Sequence, residues 1–296
     1  MNKFQHIGFI GLGVMGEPMC RNLARKAGVT VTAFDLDQAP LERLAAEGVL
    51  SASTTEIMAR CDVVFMSLPS GEVVAQLCRQ YGGLLSQARP GQIIIDLSTS
   101  PVDSTRALEQ EFAARQAHFL DAPVARTRAA AEAGTLAVMV GASPELFDTV
   151  RPLIATFASD IALCGPVGCG QVLKILNNMV LFETVVAISE AKAIGEKAGV
   201  DPQVLFDTLS KGSADSFALR NHGMKAVLPG DFPERAFSVR YARKDLHYAL
   251  KLAADTGVDA RGARVVEQWF DQAIEAGMGE QYHPVISRLM AGNGQD

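Results

Sequence analysis

The sequence predicts an α/β chain, in which a doubly wound parallel sheet is followed by an all-helical C-terminal domain. Short apolar strands alternate with helices up to about residue 164, and strands that are apolar on both faces are typical of a parallel sheet covered on both sides. From about residue 171 onward the apolar spacing is helical only. We therefore predict a first domain over residues 1–164 and a helical domain over residues 165–296.

Each element follows from the apolar periodicity, taken in order along the chain. Strands are predicted where short apolar or β-branched runs occur, at 7–10, 29–34, 63–68, 93–97, 118–121, 136–140 and 161–164. Helices are predicted between them, at 19–26, 40–47, 55–59, 72–80, 102–115 and 144–157. A long helix over about 171–198 is predicted between the domains, followed by helices at 202–210, 240–254, 264–276 and 284–290.

The composition narrows the functional class. The chain has 296 residues, 48% of them hydrophobic and 20% charged, with a net charge of −6, so it lacks the basic excess of a nucleic-acid-binding protein. Its five cysteines are scattered without metal-ligand spacing, and no metal site is expected. No signal-peptide core follows Met1, so we expect a cytoplasmic protein. The apolar run 175–188 is interrupted by Asn177, Asn178 and Glu183, and we expect a buried helix there rather than a membrane span.

The first predicted strand ends in a glycine-rich turn that opens a helix, Gly11-Leu12-Gly13-Val14-Met15-Gly16. In this context Gly11 makes the tight turn, Gly13 lets the backbone approach a pyrophosphate, and Gly16 permits close packing of helix on strand. The helix N–H groups then face the anion. The sequence therefore predicts a dinucleotide-binding turn formed by these six residues.

An acidic residue ends the second predicted strand. Asp35 lies 19 residues after Gly16, where a carboxylate accepts hydrogen bonds from the adenosine ribose hydroxyls and repels a 2′-phosphate. No basic residue occupies positions 36–38. The predicted cofactor is therefore NAD (NADH), with NADP disfavoured.

Two further strand ends carry proline or small polar residues, in the segments Ser67-Leu68-Pro69-Ser70 and Asp96-Leu97-Ser98-Thr99-Ser100. Ligands bind outside the carboxyl ends of the strands in open α/β sheets. We therefore predict that Leu68, Pro69, Ser98 and Thr99 contact the cofactor, with the two hydroxyls near the nicotinamide ribose or the substrate. The alternative for each segment is a simple N-cap of the next helix.

The long predicted helix carries three polar residues in an otherwise apolar stretch. Lys174, Asn177 and Asn178 are spaced three and four residues apart, which places them on one face. Such groups are costly to bury unless they line a polar cavity or pair with each other. A desolvated lysine has a lowered pKa and exchanges a proton near neutral pH, as carbonyl reduction requires. We predict Lys174 as the proton donor and acceptor; the alternative is a surface lysine at a helix start.

Several motifs spread over the chain resemble those of the β-hydroxyacid dehydrogenase family: 9–16 with Pro18-Met19, Asp121-Ala122-Pro123-Val124, Gly134-Thr135-Leu136, Met139-Val140-Gly141, Gly168, Gly170, Lys174, Asn178 and Lys244-Asp245-Leu246. The resemblance implies a Rossmann domain and a helical domain with a cleft between them, and hydride transfer between a nicotinamide and C3 of a small acid. It also implies that Lys174 is catalytic, that Asn178 orients the substrate, and that Lys244 lines the cofactor side of the cleft.

One segment departs from the family pattern. The family typically places Ser-Gly-Gly after Pro-Val, whereas this chain has Ala125-Arg126-Thr127, in which Arg126 adds a fork of donors suited to an anion. The Arg-Thr pair resembles the sulfolactaldehyde reductase branch, although Ala125, Ala130 and Leu181 stand where that branch has Gly, Asn and Ser. We predict that this segment, with Asn177, binds the acidic group of the substrate. The alternative for Arg126 is a salt bridge to the helical domain.

The sequence thus predicts an NAD(H)-dependent oxidoreductase that interconverts a small β-hydroxyacid and its semialdehyde, with 3-sulfolactaldehyde as the leading specific substrate. The alternatives are 3-hydroxyisobutyrate or tartronate semialdehyde, and, in another class, a non-catalytic dinucleotide-binding module. An imine reductase is disfavoured because enzymes of that kind lack the helix lysine. The expected partners are a small anionic substrate and further copies of the chain in a homodimer or homotetramer, without nucleic acid or membrane.

Overall fold

The computed structural model describes residues 4–234 and 236–291. The chain divides into two compact units, Met1–Lys174 and Ile175–Asp296. The division falls within the long helix, ten residues beyond the predicted boundary at residue 164.

The first unit is built on one nine-stranded sheet. Its strands are β1 His6–Ile10, β2 Thr30–Phe34, β3 Leu50–Ser51, β4 Val63–Met66, β5 Ile93–Asp96, β6 His118–Asp121, β7 Val124–Ala125, β8 Leu136–Gly141 and β9 Ala158–Gly165. Their order is β3-β2-β1-β4-β5-β6-β8-β7, with β9 paired to β8. The six neighbouring strands β3-β2-β1-β4-β5-β6 all pair in parallel, which confirms the predicted doubly wound arrangement.

The far edge of the sheet is not parallel to the rest. Strand β8 runs antiparallel to both β6 and β7, and β9 is parallel to β8. The segment 126–135 that joins β7 to β8 holds one short helix, whereas a return in the parallel direction needs a crossover of a dozen or more residues. A short connection therefore reverses the strand direction at this edge.

Eight helices precede the long one and connect the strands: α1 Gly16–Lys26, α2 Gln38–Ala45, α3 Thr54–Arg60, α4 Gly71–Arg79, α5 Leu84–Gln87, α6 Val102–Ala113, α7 Arg128–Ala133 and α8 Pro144–Ile154. Several of these helices begin at a side-chain cap. At the start of α3, for example, the Ser53 hydroxyl accepts from the Glu56 backbone N–H, and the Glu56 carboxylate accepts from the Ser53 backbone N–H, which forms a capping box. Helices α5 and α7, like the two-residue strands β3 and β7, were not predicted. Each spans at most six residues, and helix and strand patterns are hard to recognise in such short runs.

The strands are apolar throughout because both faces of the sheet are covered. Along β4, Val63 and Phe65 join one apolar cluster, whereas Val64 and Met66 join another. This alternation follows from the two-residue period of a strand. Each face of the sheet therefore has its own core.

The second unit is helical and has its own apolar core. Its elements are α9 Cys169–Lys197, which begins in the first unit, α10 Pro202–Leu209, a π-helix Leu219–Val227, α11 Val239–Asp255, α12 Arg261–Glu275, a 3₁₀ turn His283–Ile286 and α13 Ser287–Met290. The π-helix was not predicted. The other elements lie within a few residues of the predicted bounds, and the predicted all-helical second half is confirmed.

Helix α9 is long and apolar enough to cross a membrane by length and composition alone. The polar residues Asn177, Asn178 and Glu183 therefore do not by themselves exclude a membrane span, contrary to the prediction from the sequence. Its packing is that of a core helix of a globular unit, because Phe182 and Val185 are fully buried in the second apolar core. Its first turn is bound to the sheet of the first unit by Gln171.

Candidate functional site

The glycine-rich turn has the geometry expected from its three glycines. Gly11 has a φ of +93°, and a Cβ on Gly16 would collide with the Gly11 carbonyl oxygen. A Cβ on Gly13, by contrast, would meet no atom within 4 Å. Gly13 and Val14 are exposed, Met15 is half-buried and Leu12 is buried. The backbone at Gly13 therefore borders open space, and the turn fits the approach of a dinucleotide pyrophosphate.

Asp35 lies directly against this turn at the end of β2. Its Oδ2 accepts a hydrogen bond of 2.5 Å from the Leu12 N–H, and its Oδ1 accepts one of 2.8 Å from the Asp37 N–H. Asp37 in turn caps α2, because its side chain accepts from the Ala39 N–H. The Asp35 carboxylate therefore lies beside the phosphate-binding turn.

The other two predicted strand ends are joined by a hydrogen bond. The Leu68 N–H donates to the Ser98 Oγ at 2.9 Å, which links the end of β4 to the end of β5. Ser98 and Thr99 are buried and Pro69 is exposed. Asp96 fixes the loop that follows β5, since it accepts from the Ser98 N–H at 2.9 Å and from the Ser100 hydroxyl at 2.7 Å.

The start of α9 is bound to the end of β6. Asp121 accepts hydrogen bonds of 2.7 Å from the backbone N–H groups of Gly168 and Gln171. Burial raises the pKa of the Asp121 carboxyl to about 6, although these two donors favour its charged form. Lys174 is half-buried and follows Gln171 by three residues, almost one helical turn. The motif Asp121-Ala122-Pro123-Val124 gave no indication of this role in the sequence.

Within the second unit, Asn178 belongs to a buried polar cluster. Its Nδ2 donates to the Asp245 Oδ2 at 2.7 Å, and its Oδ1 accepts from Asn177 at 3.1 Å. The Lys244 Nζ donates to the other Asp245 oxygen at 2.8 Å and lies 4.5 Å from the centroid of the Tyr241 ring. Asp245 therefore holds both predicted residues, Asn178 and Lys244. This role of Asp245 was not predicted from the sequence, although the residue belongs to the motif Lys244-Asp245-Leu246.

The predicted anion-binding segment lies at the β7–α7 junction. Ala125 ends β7 and pairs with Ala137 of β8, and Thr127 caps α7 by accepting from the Ala130 N–H. Arg126 has a φ of +87°, a left-handed conformation that non-glycine residues adopt rarely.

The Arg126 guanidinium is occupied within the first unit. It is ion-paired with Asp160 at 2.7 Å and also donates to the Thr135 carbonyl oxygen at 2.6 Å and the Ser159 hydroxyl at 3.0 Å. The sequence offered an ion pair between Arg126 and the helical domain as an alternative. Arg126 does form an ion pair, but its partner Asp160 lies in β9 of the first unit.

Comparison with known proteins identifies the family. Residues 6–165 match the NAD binding domain of 6-phosphogluconate dehydrogenase, and residues 168–290 match the NAD-binding domain of NADP-dependent 3-hydroxyisobutyrate dehydrogenase. The chain is 34% identical to 2-(hydroxymethyl)glutarate dehydrogenase of Eubacterium barkeri, over 95% of this chain and 93% of that protein. The chain belongs to the β-hydroxyacid dehydrogenase family.

Two further relatives agree with this assignment. NAD-dependent L-serine dehydrogenase of Pseudomonas aeruginosa is 31% identical, over 96% of this chain and 97% of its own length. The structure of Mycobacterium tuberculosis 3-hydroxyisobutyrate dehydrogenase with L-serine superposes with a TM-score of 0.88 at 33% identity, covering 97% of this chain and 99% of that one.

This β-hydroxyacid dehydrogenase is therefore an NAD(P)-dependent oxidoreductase that acts on a CH–OH group, and its cofactor is a nicotinamide dinucleotide. The fit of the glycine-rich turn agrees with that cofactor, because Gly13 borders open space whereas Gly16 is tightly packed.

Proposed function

We propose that the enzyme interconverts a small β-hydroxyacid and its semialdehyde, with Lys174 exchanging the hydroxyl proton. When bound, the nicotinamide supplies or accepts the hydride at the carbinol carbon. In the reductive direction Lys174 protonates the developing alkoxide, and Asn178 donates a hydrogen bond to the same oxygen. The observation that carries this proposal is that Lys174 and Asn178 lie one turn apart on the single helix α9.

Asp245 supports the role proposed for Asn178. Its carboxylate, only 1% exposed, accepts one amide hydrogen of Asn178 and so fixes the orientation of the carboxamide. A preorganised donor stabilises charge on the reacting oxygen without reorganisation during the reaction.

The names of the relatives support a substrate class. 2-(Hydroxymethyl)glutarate, 3-hydroxyisobutyrate and L-serine each carry a hydroxymethyl group on the carbon next to a carboxylate. We therefore propose a substrate of the form HOCH₂–CHR–COO⁻, with its carboxylate near Ala125, Arg126, Thr127 and Asn177. Two points of attachment, at the hydroxyl and at the carboxylate, would orient the carbinol carbon.

A second candidate substrate is 3-sulfolactaldehyde, and the presence of Arg126 in the anion-binding segment favours it. Because the guanidinium is paired with Asp160, binding of a sulfonate there requires that the substrate replace Asp160 as the partner of Arg126. An exposed ion pair is worth about 0–1 kcal/mol, so this exchange costs little.

We propose NAD rather than NADP as the cofactor. The carboxylate of Asp35 lies beside the turn, where it accepts from the Leu12 N–H, and negative charge there disfavours a 2′-phosphate. Leu68, Pro69, Ser98, Thr99 and Lys244 remain proposed cofactor contacts.

The test is an initial-rate panel with NADH and then NADPH on methylmalonate semialdehyde, tartronate semialdehyde, succinic semialdehyde and 3-sulfolactaldehyde. For Lys174→Ala we expect a loss in kcat of about 10²–10⁴, the contribution of general acid catalysis. Lys192→Ala is the matched control, since Lys192 lies on the same helix in an exposed ion pair with Glu196, and it should retain full activity. An active Lys174→Ala variant, or no turnover of any substrate, would contradict the proposal.

Arg126→Ala, assayed on the substrate that the panel selects, decides whether the guanidinium binds the substrate anion. If a carboxylate semialdehyde is the substrate and Arg126 only bridges β7 to β9, the variant should leave KM within about threefold of the original value. If 3-sulfolactaldehyde is the substrate, its kcat/KM should fall by about tenfold or more, because a charge-assisted hydrogen bond is worth about 1.5–3 kcal/mol.

We further propose a cytoplasmic homodimer or homotetramer associated through α9, with no nucleic-acid or membrane partner. Leu176, Val180 and Ile194 are 36%, 57% and 68% exposed, and their spacing places them on one side of the helix. Clustered exposed apolar side chains mark interaction surfaces. Sedimentation velocity should show an oligomer that Val180→Glu dissociates, whereas Val265→Glu on α12 leaves it intact. A monomeric wild-type protein would overturn this assignment.

A further inference from the structure

Helix α9 has no cap of its own, and a residue from the sheet supplies one. Gly168, which precedes the helix, has a φ of +93° and no side chain that could accept a hydrogen bond. The Asp121 carboxylate at the end of β6 accepts from both the Gly168 and the Gln171 N–H groups at 2.7 Å. Helices α3, α4, α8, α10 and α11 are capped instead by the Ser or Asp directly before them.

Two positions beside this contact, Gly141 and Gly170, have no room for a side chain. A Cβ on Gly170 would lie 2.7 Å from the Asp121 Oδ2 and would also collide with the Met139 carbonyl oxygen. A Cβ on Gly141 would collide with the Asp121 carboxylate. The absence of a side chain at Gly170 and Gly141 therefore lets the start of α9 pack closely against β8 and the Asp121 carboxylate.

Gln171 supplies a second attachment to the sheet. Its Oε1 accepts from the Ser100 N–H at 3.0 Å, and its Nε2 donates to the Ser98 carbonyl oxygen at 2.8 Å. The Ser98 hydroxyl accepts from the Leu68 N–H. These bonds, of which the two made by the Gln171 side chain are buried, connect the first turn of α9 to the ends of β4 and β5, where we propose that the cofactor lies.

We propose that Asp121 and Gln171 are positioning residues, which set the axial position of α9 and hence of Lys174 against the cofactor edge of the sheet. A local Ser or Asp cap would satisfy the same N–H groups without binding the helix to β6. Burial of a carboxylate beside Asp96 costs stability, so capping alone does not account for Asp121. This role rests on the function proposed for Lys174.

The test compares Asp121→Asn with the unchanged enzyme. The asparagine keeps one acceptor but turns an NH₂ group toward a backbone N–H donor, so one cap bond is lost. We expect faster hydrogen exchange of the amides of residues 168–174, and a fall in kcat of about tenfold to a hundredfold, since a displacement of about 1 Å costs on the order of 10². The Kd of NADH should stay within about threefold of the value for the unchanged enzyme.

Gln171→Ala is the second variant, and it decides the matter if Asp121→Asn does not fold. It removes both side-chain hydrogen bonds but leaves the backbone bond to Asp121. We again expect kcat to fall while the Kd of NADH stays nearly unchanged. Asp201→Asn is the matched control, because Asp201 caps α10 in the other unit. It should change exchange only at the start of α10.

Unchanged exchange at residues 168–174, unchanged kcat, or a Kd for NADH that rises in parallel with the loss of kcat would each overturn the proposal. Failure of the proposed function is distinguishable, because it leaves the unchanged enzyme without turnover on the substrate panel. In that case the exchange measurement alone decides whether Asp121 and Gln171 fix the start of α9.

Discussion

The Asp35 carboxylate accepts from the backbone N–H groups of both Leu12 and Asp37, so its position is set by the turn as well as by β2. A carboxylate held there is placed to accept from ribose hydroxyls and to oppose a 2′-phosphate. If the proposed preference for NAD holds, we expect it to depend chiefly on this residue.

Asp35→Ser should weaken NADH binding and narrow the preference over NADPH. Loss of a charge-assisted hydrogen bond costs about 1.5–3 kcal/mol, which corresponds to a change in KM for NADH of about tenfold to a hundredfold. Asp62→Ser is the control, because Asp62 is exposed and precedes β4, at the opposite end of the strands. Equal discrimination against NADPH in both variants would show that Asp35 does not select the cofactor.

The residues that form the turn could be predicted from sequence, but the partners of the polar side chains could not. Gly11, Gly13 and Gly16 lie within one local motif whose spacing fixes their roles. Asp245, by contrast, lies 67 residues from Asn178, and no local pattern encodes so distant a pairing. Likewise, no local pattern indicates that Asp160 binds Arg126.

At the scale of elements, strong periodicity predicted the long strands and helices and missed the short or irregular ones. The π-helix Leu219–Val227 surrounds Gly223, whose Cβ would lie 2.9 Å from the Phe206 ring. Close packing of this kind is a tertiary effect that a helical repeat in the sequence does not report. The connection from β1 through the turn to α1, in contrast, is determined locally.

Gly16→Ala and Gly13→Ala should separate the two functions of that connection. In Gly16→Ala the added Cβ would force α1 away from the Gly11 carbonyl, so the first unit should lose about 1–3 kcal/mol of unfolding free energy, as overpacked sites do. In Gly13→Ala the added Cβ meets nothing, so stability should be kept while the affinity for NADH falls, because the methyl group occupies the approach of the pyrophosphate.

Thermal unfolding and titration of NADH fluorescence measure the two effects. A Gly13→Ala variant that binds NADH as tightly as the original protein would mean that the pyrophosphate does not approach this turn.

At the scale of the whole molecule, the two units differ in how their buried ionisable groups respond to pH. Both units bury carboxylates that accept hydrogen bonds, and the second also buries two histidines, His222 and His283. His283 is 0% exposed among the rings of Phe182, Phe237, Tyr282 and His222. Within residues 4–234 and 236–291, neither nitrogen of its ring has a hydrogen-bond partner.

The second unit should therefore lose stability in acid. Burial lowers the pKa of His222 to about 4, and burial lowers that of His283 well below its usual 6.5. Well above pH 6.5 both imidazoles are neutral whether the chain is folded or unfolded, so they contribute no pH dependence there. Below pH 6.5 the unfolded chain binds protons that the folded unit excludes, and for His222 alone the loss reaches about 3 kcal/mol by pH 4.

His283→Leu should reduce this acid sensitivity, because it removes one excluded proton and an unpaired polar group without emptying the site. The one tryptophan of the chain, Trp269, lies in α12, so its fluorescence during urea unfolding reports on the second unit. Between pH 6.5 and 5 the unfolding free energy of the variant should fall less steeply than that of the unchanged protein. The difference in slope should be up to about 1.4 kcal/mol per pH unit. His118→Gln, at an exposed position in β6, should behave as the unchanged protein does. If His283→Leu and the unchanged protein lose stability with the same pH slope, the buried imidazole is not the source of the acid sensitivity.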